Sequence, residues 1–313
     1  MTGERGRVAR LTALLLEHSK QVEVGVGDDA AVLAPLLART VLSVDAQVEN
    51  VHFKRGWLTL RELGARAVMS AMSDLAAMGA EGRATLLSIA TPPWVDEDAF
   101  DALMLGARDA AEQCQAPIVG GNLTRASELS LHTTVVGKAT QVVQRDGARV
   151  GHAVFVTGSI GAAALGLHAL QHGLASELAF APFVRRWRAP QARMSECRRL
   201  AEFASASIDL SDGLIADATQ LAEASGVGLQ IDAAALPMAE GFVEACKLAQ
   251  RDPFELACTG GEDYEVLFTA PMSETPSRFA TCIGVVVSGR EVSVRHEGRV
   301  LSFGRAGFDH FAP

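Results

Sequence analysis

The sequence predicts an α+β protein built from two mixed α/β domains. Three observations lead there: strand-like and helix-like segments are interleaved in both halves, no solenoid-length repeat runs through the chain, and a polar, glycine-bearing stretch divides it. That stretch, residues 140–151, reads as a linker between an N-terminal domain at 1–139 and a C-terminal domain at 152–313. The 313 residues are 49% hydrophobic and 21% charged, the balance of an ordinary globular protein with enough chain for two cores.

In the first half, residues 8–18 have the spacing of a short amphipathic helix, and Val22, Val24 and Val26 alternate as a strand entering Gly27-Asp28-Asp29. Residues 41–44 form a second strand ending in Asp45, so that Ser43 and Asp45 share one face by the two-residue period. From Leu60 to Met78 the apolar positions Leu63, Ala67, Val68, Ala71, Met72 and Leu75 recur at helical spacing. Asp74 borders that stripe in the last turn, where the helix dipole disfavours an anion, so it needs compensation, from a metal ion or from a paired arginine. A strand at 85–90, a helix at 96–114, an apolar run at 118–119 reaching Gly120-Gly121-Asn122, and a strand at 129–136 complete the half. The paired glycines fit a turn, or a backbone that comes close to a phosphate.

The second half opens with a strand at 154–156 and a glycine turn. Its Gly158-Ser159-Ile160-Gly161 lacks the spacing of a dinucleotide-binding loop. Residues 185–199 are rich in arginine and helical in their latter part, with a solvated face as the default reading. At 207–214 the run Ser-Ile-Asp-Leu-Ser-Asp-Gly-Leu puts a short strand into a polar turn and then a helix, with Ser211 or Asp212 suited to cap it. Strands follow at 229–231, at 264–268 after Gly260-Gly261-Glu262-Asp263, at 283–287 and at 292–295.

The chemistry lies in a repeated element: carboxylates beside glycine or at the end of an apolar run, at Asp28-Asp29, Asp45, Asp74, Asp209 with Asp212, and Glu262-Asp263. Brought together without a cation, such groups repel and raise one another's pKa. Oxygen donors with no His or Cys at ligand spacing suit Mg²⁺, which normally shares its shell with phosphates. The net charge of −9 argues against nucleic acid or an anionic membrane as partner. The five cysteines, Cys114, Cys197, Cys246, Cys258 and Cys282, show no CxxC spacing, which fits reduced thiols in the cytoplasm. No signal-peptide pattern opens the chain, and the longest nearly apolar run, 153–167, is too short to span a bilayer. The sequence has no Walker loop, no His-Arg-Asp kinase loop and no nucleophile elbow.

Taken in order, six motifs resemble the thiamine-monophosphate kinase family, within the superfamily of aminoimidazole ribonucleotide synthetase and selenophosphate synthetase. They are Gly27-Asp28-Asp29-Ala30-Ala31-Val32, Val44-Asp45 with His52-Phe53, Ser73-Asp74-Leu75-Ala76-Ala77-Met78-Gly79, Gly120-Gly121-Asn122, Asp209-Leu210-Ser211-Asp212-Gly213-Leu214 and Gly261-Glu262-Asp263-Tyr264. The resemblance implies ATP-dependent phosphorylation of thiamine monophosphate to thiamine diphosphate, on the superfamily's two-domain fold. Several Mg²⁺ ions would be held by Asp28, Ser43, Asp45, Asp74, Asp209, Asp212, the Val44 carbonyl and Asn122. ATP would meet Gly121, Asn122, Arg145 and Ser211, and the thiamine substrate would meet His52, Glu262 and Phe308. It further implies an N-terminal domain that binds metal and ATP and pairs through its sheet in a homodimer. No general base is assigned.

Three positions depart from the family pattern. Asn122 stands where an Asp is often found, Gln191-Ala192-Arg193 replaces the usual Pro-x-Pro-Arg, and His152 stands where an Asp commonly precedes the strand. The alternatives to the kinase are another ATP-using superfamily member acting on a ribonucleotide, and a catalytically silent nucleotide- and metal-binding protein.

Overall fold

The computed structural model describes residues 22–24, 32–35, 37–273, 279–304 and 307. The expected helix at 8–18 and the Gly27-Asp28-Asp29 motif lie outside them. The chain divides into two compact units, one holding residues up to Leu75 with Ala80–Thr140, the other Ala76–Gly79 with Gln141 onward. A two-stranded sheet of β1 (Val22–Val24) and β2 (Val32–Leu33) belongs to the first.

The first unit is built on a four-stranded sheet in the order β3 (Arg39–Val48), β6 (Ser130–Ala139), β4 (Glu81–Thr91), β5 (Ile118–Arg125). β3 and β4 run antiparallel to β6, and β5 runs parallel to β4. Odd-numbered residues of β3, β6 and β4 face the core: Val41, Leu131, Val135, Leu87 and Ile89 are buried. Helix α1 (Leu60–Ala77) buries the expected stripe of Leu63, Ala67, Ala71, Met72 and Leu75. Leu75 lies against Gly137 of β6, which places the helix on that face. Helix α2 (Glu97–Gln113) starts at Asp96, whose carboxylate accepts the Ala99 N–H at 2.9 Å. On the other face of the sheet, Leu42 and Val44 are 66% and 64% exposed. Gly120 and Gly121 make no turn, since β5 continues through them after an irregularity in its register with β4 at Val119.

The second unit carries a seven-stranded sheet. Its order is β13 (Arg299–Val300), β12 (Val292–His296), β9 (Gly228–Asp232), β11 (Ala280–Val287), β7 (Ala153–Thr157), β10 (Val266–Ala270), β8 (Ala206–Asp209). All neighbours are antiparallel except β12 and β9. Both faces are covered, so β7, β8 and β10 are buried throughout. Val154, Val156, Ile208 and Leu267 point into the larger core, with residues of α3 (Ala162–Gln171), α4 (Ala181–Arg188), α6 (Leu214–Ser225), α7 (Phe242–Leu248) and α8 (Pro253–Thr259). Their neighbours Ala153, Phe155, Val266 and Phe268 point the other way, with Leu200 of α5 (Cys197–Phe203) and Ala77.

The end of the arginine-rich stretch enters a helix as expected, α5, but its first residues are helical too, in α4, and a loop at 190–196 separates the two. Phe268 stacks on Phe155 at 5.3 Å between ring centroids and meets Phe203 and Phe279 at 5.9 and 6.2 Å. Phe268→Ala should therefore cost about 3–5 kcal/mol in urea unfolding, from lost burial and the cavity left among three rings.

Candidate active site

In the first unit the two-residue period of β3 sends Ser43 and Asp45 to the face on which α1 lies, and Val44 to the opposite one. The Ser43 hydroxyl donates to Asp74 Oδ2 at 2.5 Å, which joins the strand to the last full turn of the helix. That bond is a donor for a carboxylate otherwise set against the helix dipole. Asp45 Oδ1 accepts the N–H of Ala46 at 2.7 Å. Toward the end of the same seam, the wholly buried Arg66 donates its Nε to Gln47 Oε1 at 3.1 Å. His52, in the turn after β3, accepts the Val48 N–H on Nδ1 at 3.1 Å, so the neutral ring carries its proton on Nε2.

Gly121 and Asn122 lie on β5, with β6 and β4 between them and β3. At about 4.8 Å per strand that is a lateral separation of about 14 Å from Asp45. A Cβ on Gly121 would come within 2.0 Å of the Leu87 carbonyl oxygen, so only glycine lets the two strands approach here.

In the second unit two segments are pressed together, backbone to backbone. Asp209 ends β8, 5% exposed, and the chain turns through Leu210, Ser211, Asp212 and Gly213 into α6. The N–H groups of Glu262 and Tyr264 donate to the carbonyls of Ser211 and Leu210 at 2.8 and 2.9 Å, and Leu210 N–H donates to the Glu265 carbonyl at 2.7 Å. A Cβ on Gly261 would lie 2.3 Å from the Ser211 carbonyl oxygen, so the glycine is what permits the contact. The structure thus brings Asp209, Ser211, Asp212 and Glu262 into one loop cluster. Gly307 adjoins it, its Cβ position being 2.6 Å from the Asp212 carbonyl oxygen, whereas Phe308 lies outside the described residues.

The cap of α6 differs from expectation. Gly213 occupies the N-cap position and has no side chain to offer, and neither Ser211 nor Asp212 caps the helix. Asp217, one turn in and buried, instead accepts the N–H groups of Asp212 and Gly213, both at 3.1 Å. Burial first and the charge of Asp212 second push its carboxyl up to about 7, while those backbone donors pull it down. Arg145 is exposed and donates to Gln220 Oε1 of the same helix at 3.0 Å.

Four residues around this cluster carry functions that the sequence reading had not assigned. Asp263 accepts the N–H groups of Gly161 and Ala163 at 2.5 and 3.0 Å, capping α3 from a distant segment because that helix has no cap of its own. Glu265, wholly buried, takes the Thr157 hydroxyl at 2.6 Å and ion pairs from Arg186 and Arg193. Those two arginines overturn the default of a solvated face for 185–199, since they lie against a buried acid. The only signal in the sequence was a run of acids entering an apolar strand at Glu262-Asp263-Tyr264-Glu265. Among the described residues, no three His, Cys, Asp or Glu side chains stand together at metal-ligand spacing.

Residues 27–139 match the family described as AIR synthase related protein, N-terminal domain, and residues 149–297 its C-terminal domain. The chain is 33% identical over 274 residues to a thiamine-monophosphate kinase of Aquifex aeolicus, covering 86% of this chain and 88% of that one. In structure it is similar to AaThiL complexed with AMPPCP and TMP, with a TM-score of 0.83, 32% identity and coverage of 99% and 97%. It is also similar to a thiamine-monophosphate kinase from Stenotrophomonas maltophilia, with a TM-score of 0.84, 32% identity and coverage of 93% and 96%.

Asp263 lends itself to a direct test. Its burial outweighs the helix N–H groups and Arg186, and the carboxyl is pushed up from 3.8 to about 7. The folded protein keeps a proton there that the unfolded chain has released, so this contribution is complete below 3.8 and is lost as pH rises through about 7. Urea unfolding between pH 5 and 8 should show stability falling with pH, and Asp263→Asn should make that slope shallower, with Asp217, raised to about 7 as well, supplying what remains.

Proposed function

The chain belongs to the thiamine-monophosphate kinase family of AIR synthase related proteins, and from that membership we propose that it phosphorylates thiamine monophosphate with ATP. The observation that carries this reading is the likeness, over 99% of the chain, to a structure holding an ATP analogue and TMP. The reaction is a phosphotransfer with a phosphate as acceptor. An oxygen of the thiamine monophosphate ester forms a bond to the γ-phosphorus, the bond from that phosphorus to the β–γ bridging oxygen breaks, and ADP leaves. Since a phosphate monoester has its second pKa near 6, the acceptor is largely dianionic at pH 7 and needs no general base.

The barrier is mainly the meeting of two polyanions in line. The donor set suits Mg²⁺: Ser43, Asp45 and Asp74 on facing elements of the first unit, and Asp209 and Asp212 on one turn of the second, are all oxygen ligands. Asp28 and the Val44 carbonyl would complete the first set. Mg²⁺ held by these residues would supply charge neutralisation between the two phosphates. The chain's own work is to position. Ser211 and Arg145 would meet the nucleotide, and His52, Glu262 and Phe308 the thiamine, with the Glu262 carboxylate answering the thiazolium charge. Gly121 and Asn122, on the far side of the first unit's sheet, would serve a nucleotide shared with a second subunit and one of its metals.

We assign a homodimer to the sheet face bearing Leu42 and Val44, apolar side chains too exposed for a lone sheet face to leave in water. We place the protein in the cytoplasm. Cys114, Cys246, Cys258 and Cys282 are free thiols, and no described helix is long and apolar enough to cross a membrane.

With Mg²⁺ and ATP, ADP should be released only when thiamine monophosphate is present. Asp74→Asn should lower kcat/KM by about a hundredfold or more while melting close to the wild type. ADP release indifferent to thiamine monophosphate would refute the assignment. In sedimentation equilibrium, a Leu42→Asp, Val44→Asp double variant should run as a monomer where the unaltered chain runs as a dimer.

A further inference from the structure

The segment 260–265 is held in a conformation that its sequence does not favour. Glu262 and Tyr264 have φ of 69° and 51°, in the left-handed region, although neither is glycine. Each such residue costs about 1 kcal/mol or more and persists only where its surroundings dictate it. The surroundings here are specific. Trp187 Nε1 donates to Glu262 Oε2 at 2.5 Å, and Arg186, one residue earlier on α4, donates to the Asp263 carbonyl at 2.8 Å and to Glu265. Arg193, from the loop between α4 and α5, grips both oxygens of Glu265 with Nε and Nη2. Arg186 therefore spans the strained Tyr264 from both sides, and Arg193 fixes the acid to which Arg186 is tied.

A wholly buried carboxylate is a costly way to hold a loop unless its geometry matters, because apolar packing of equal volume is often as stable. What the ion pairs add is direction: a planar fork admits one orientation of the carboxylate and hence of the backbone beside it. We infer that Arg186, Glu265 and Arg193 form a positioning device for the thiamine pocket. The triad sets the backbone of residues 262–264 so that the Glu262 carboxylate presents to the acceptor's heterocycle. This rests on the assignment of Glu262 to the thiamine substrate. The nucleotide side is bonded to this segment through the Glu262 and Tyr264 N–H groups but has anchors of its own, since Asp209 and Ile208 pair with β10 and Asp217 accepts the N–H groups of Asp212 and Gly213. Loosening the triad therefore weakens acceptor recognition more than nucleotide binding.

Arg193→Lys keeps the charge, loses the fork, and alters a side chain about one-quarter exposed. In the full-length variant, hydrogen exchange of the Glu262 and Tyr264 amides should accelerate by about tenfold, while α2 of the first unit keeps its protection. The KM for thiamine monophosphate should rise by about tenfold, with the KM for ATP within about twofold. Glu265→Gln should act in the same direction, and Arg193→Lys decides the matter if that variant does not fold. Unchanged exchange at residues 262 and 264, or equal rises in both KM values, would overturn the inference. A failure of the kinase assignment reads differently: unaltered protein would release no thiamine-dependent ADP, or Glu262→Gln would leave the thiamine KM unmoved, and the exchange measurement would still decide whether the triad positions the loop.

Discussion

A carboxylate taken out of water must be given donors, and the second unit is organised around three that are. Asp217 takes the N–H groups of the turn before α6, Asp263 takes those of α3, and Glu265 takes two guanidinium groups and a hydroxyl. Leaving any of them unmatched would cost several kcal/mol, a large share of a domain's net stability. The partners of Asp263 and Glu265 come from distant stretches of chain, so satisfying those two draws α3, α4 and the 190–196 loop to the segment 260–265.

This division of acids has a functional consequence. The acids proposed to meet substrate or metal lie beside a buried acid or on backbone that one holds: Glu262 is next to Asp263, and the Asp212 N–H donates to Asp217. In that proposal buried acids fix the backbone, and partly exposed acids on it would meet the ligand. A catalytic carboxylate positioned by neighbours that are already satisfied keeps its geometry before the substrate arrives, as preorganised electrostatics requires.

In the first unit the strand period does the equivalent sorting. Ser43 and Asp45 turn to the helix-covered face, where the Ser43 hydroxyl meets Asp74, and Leu42 and Val44 turn to the open one. One strand therefore supplies hard oxygen donors on one side and apolar contact area on the other. A slip of one residue in the register of β3 against β6 would exchange the two sets and abolish both.

Local chemistry alone was enough for much of this. The strand expected at 41–44, which the structure extends to Arg39–Val48, the helix at 60–77 and the turn at 209–213 follow from spacing, propensity and residue type, which act over a few neighbours and are visible in the chain. The pairings across long separations were not visible: Asp263 capping α3, Glu265 holding Arg186 and Arg193, and β5 continuing through Gly120-Gly121. An arginine-rich stretch looks solvated and a glycine pair looks like a turn until the fold brings up a buried acid or a neighbouring strand. The sequence by itself determined which groups could donate, accept or coordinate. Only the tertiary structure decided which of them are consumed inside the protein, because a carboxylate's cost and its partners depend on burial, and burial is a property of the packed chain.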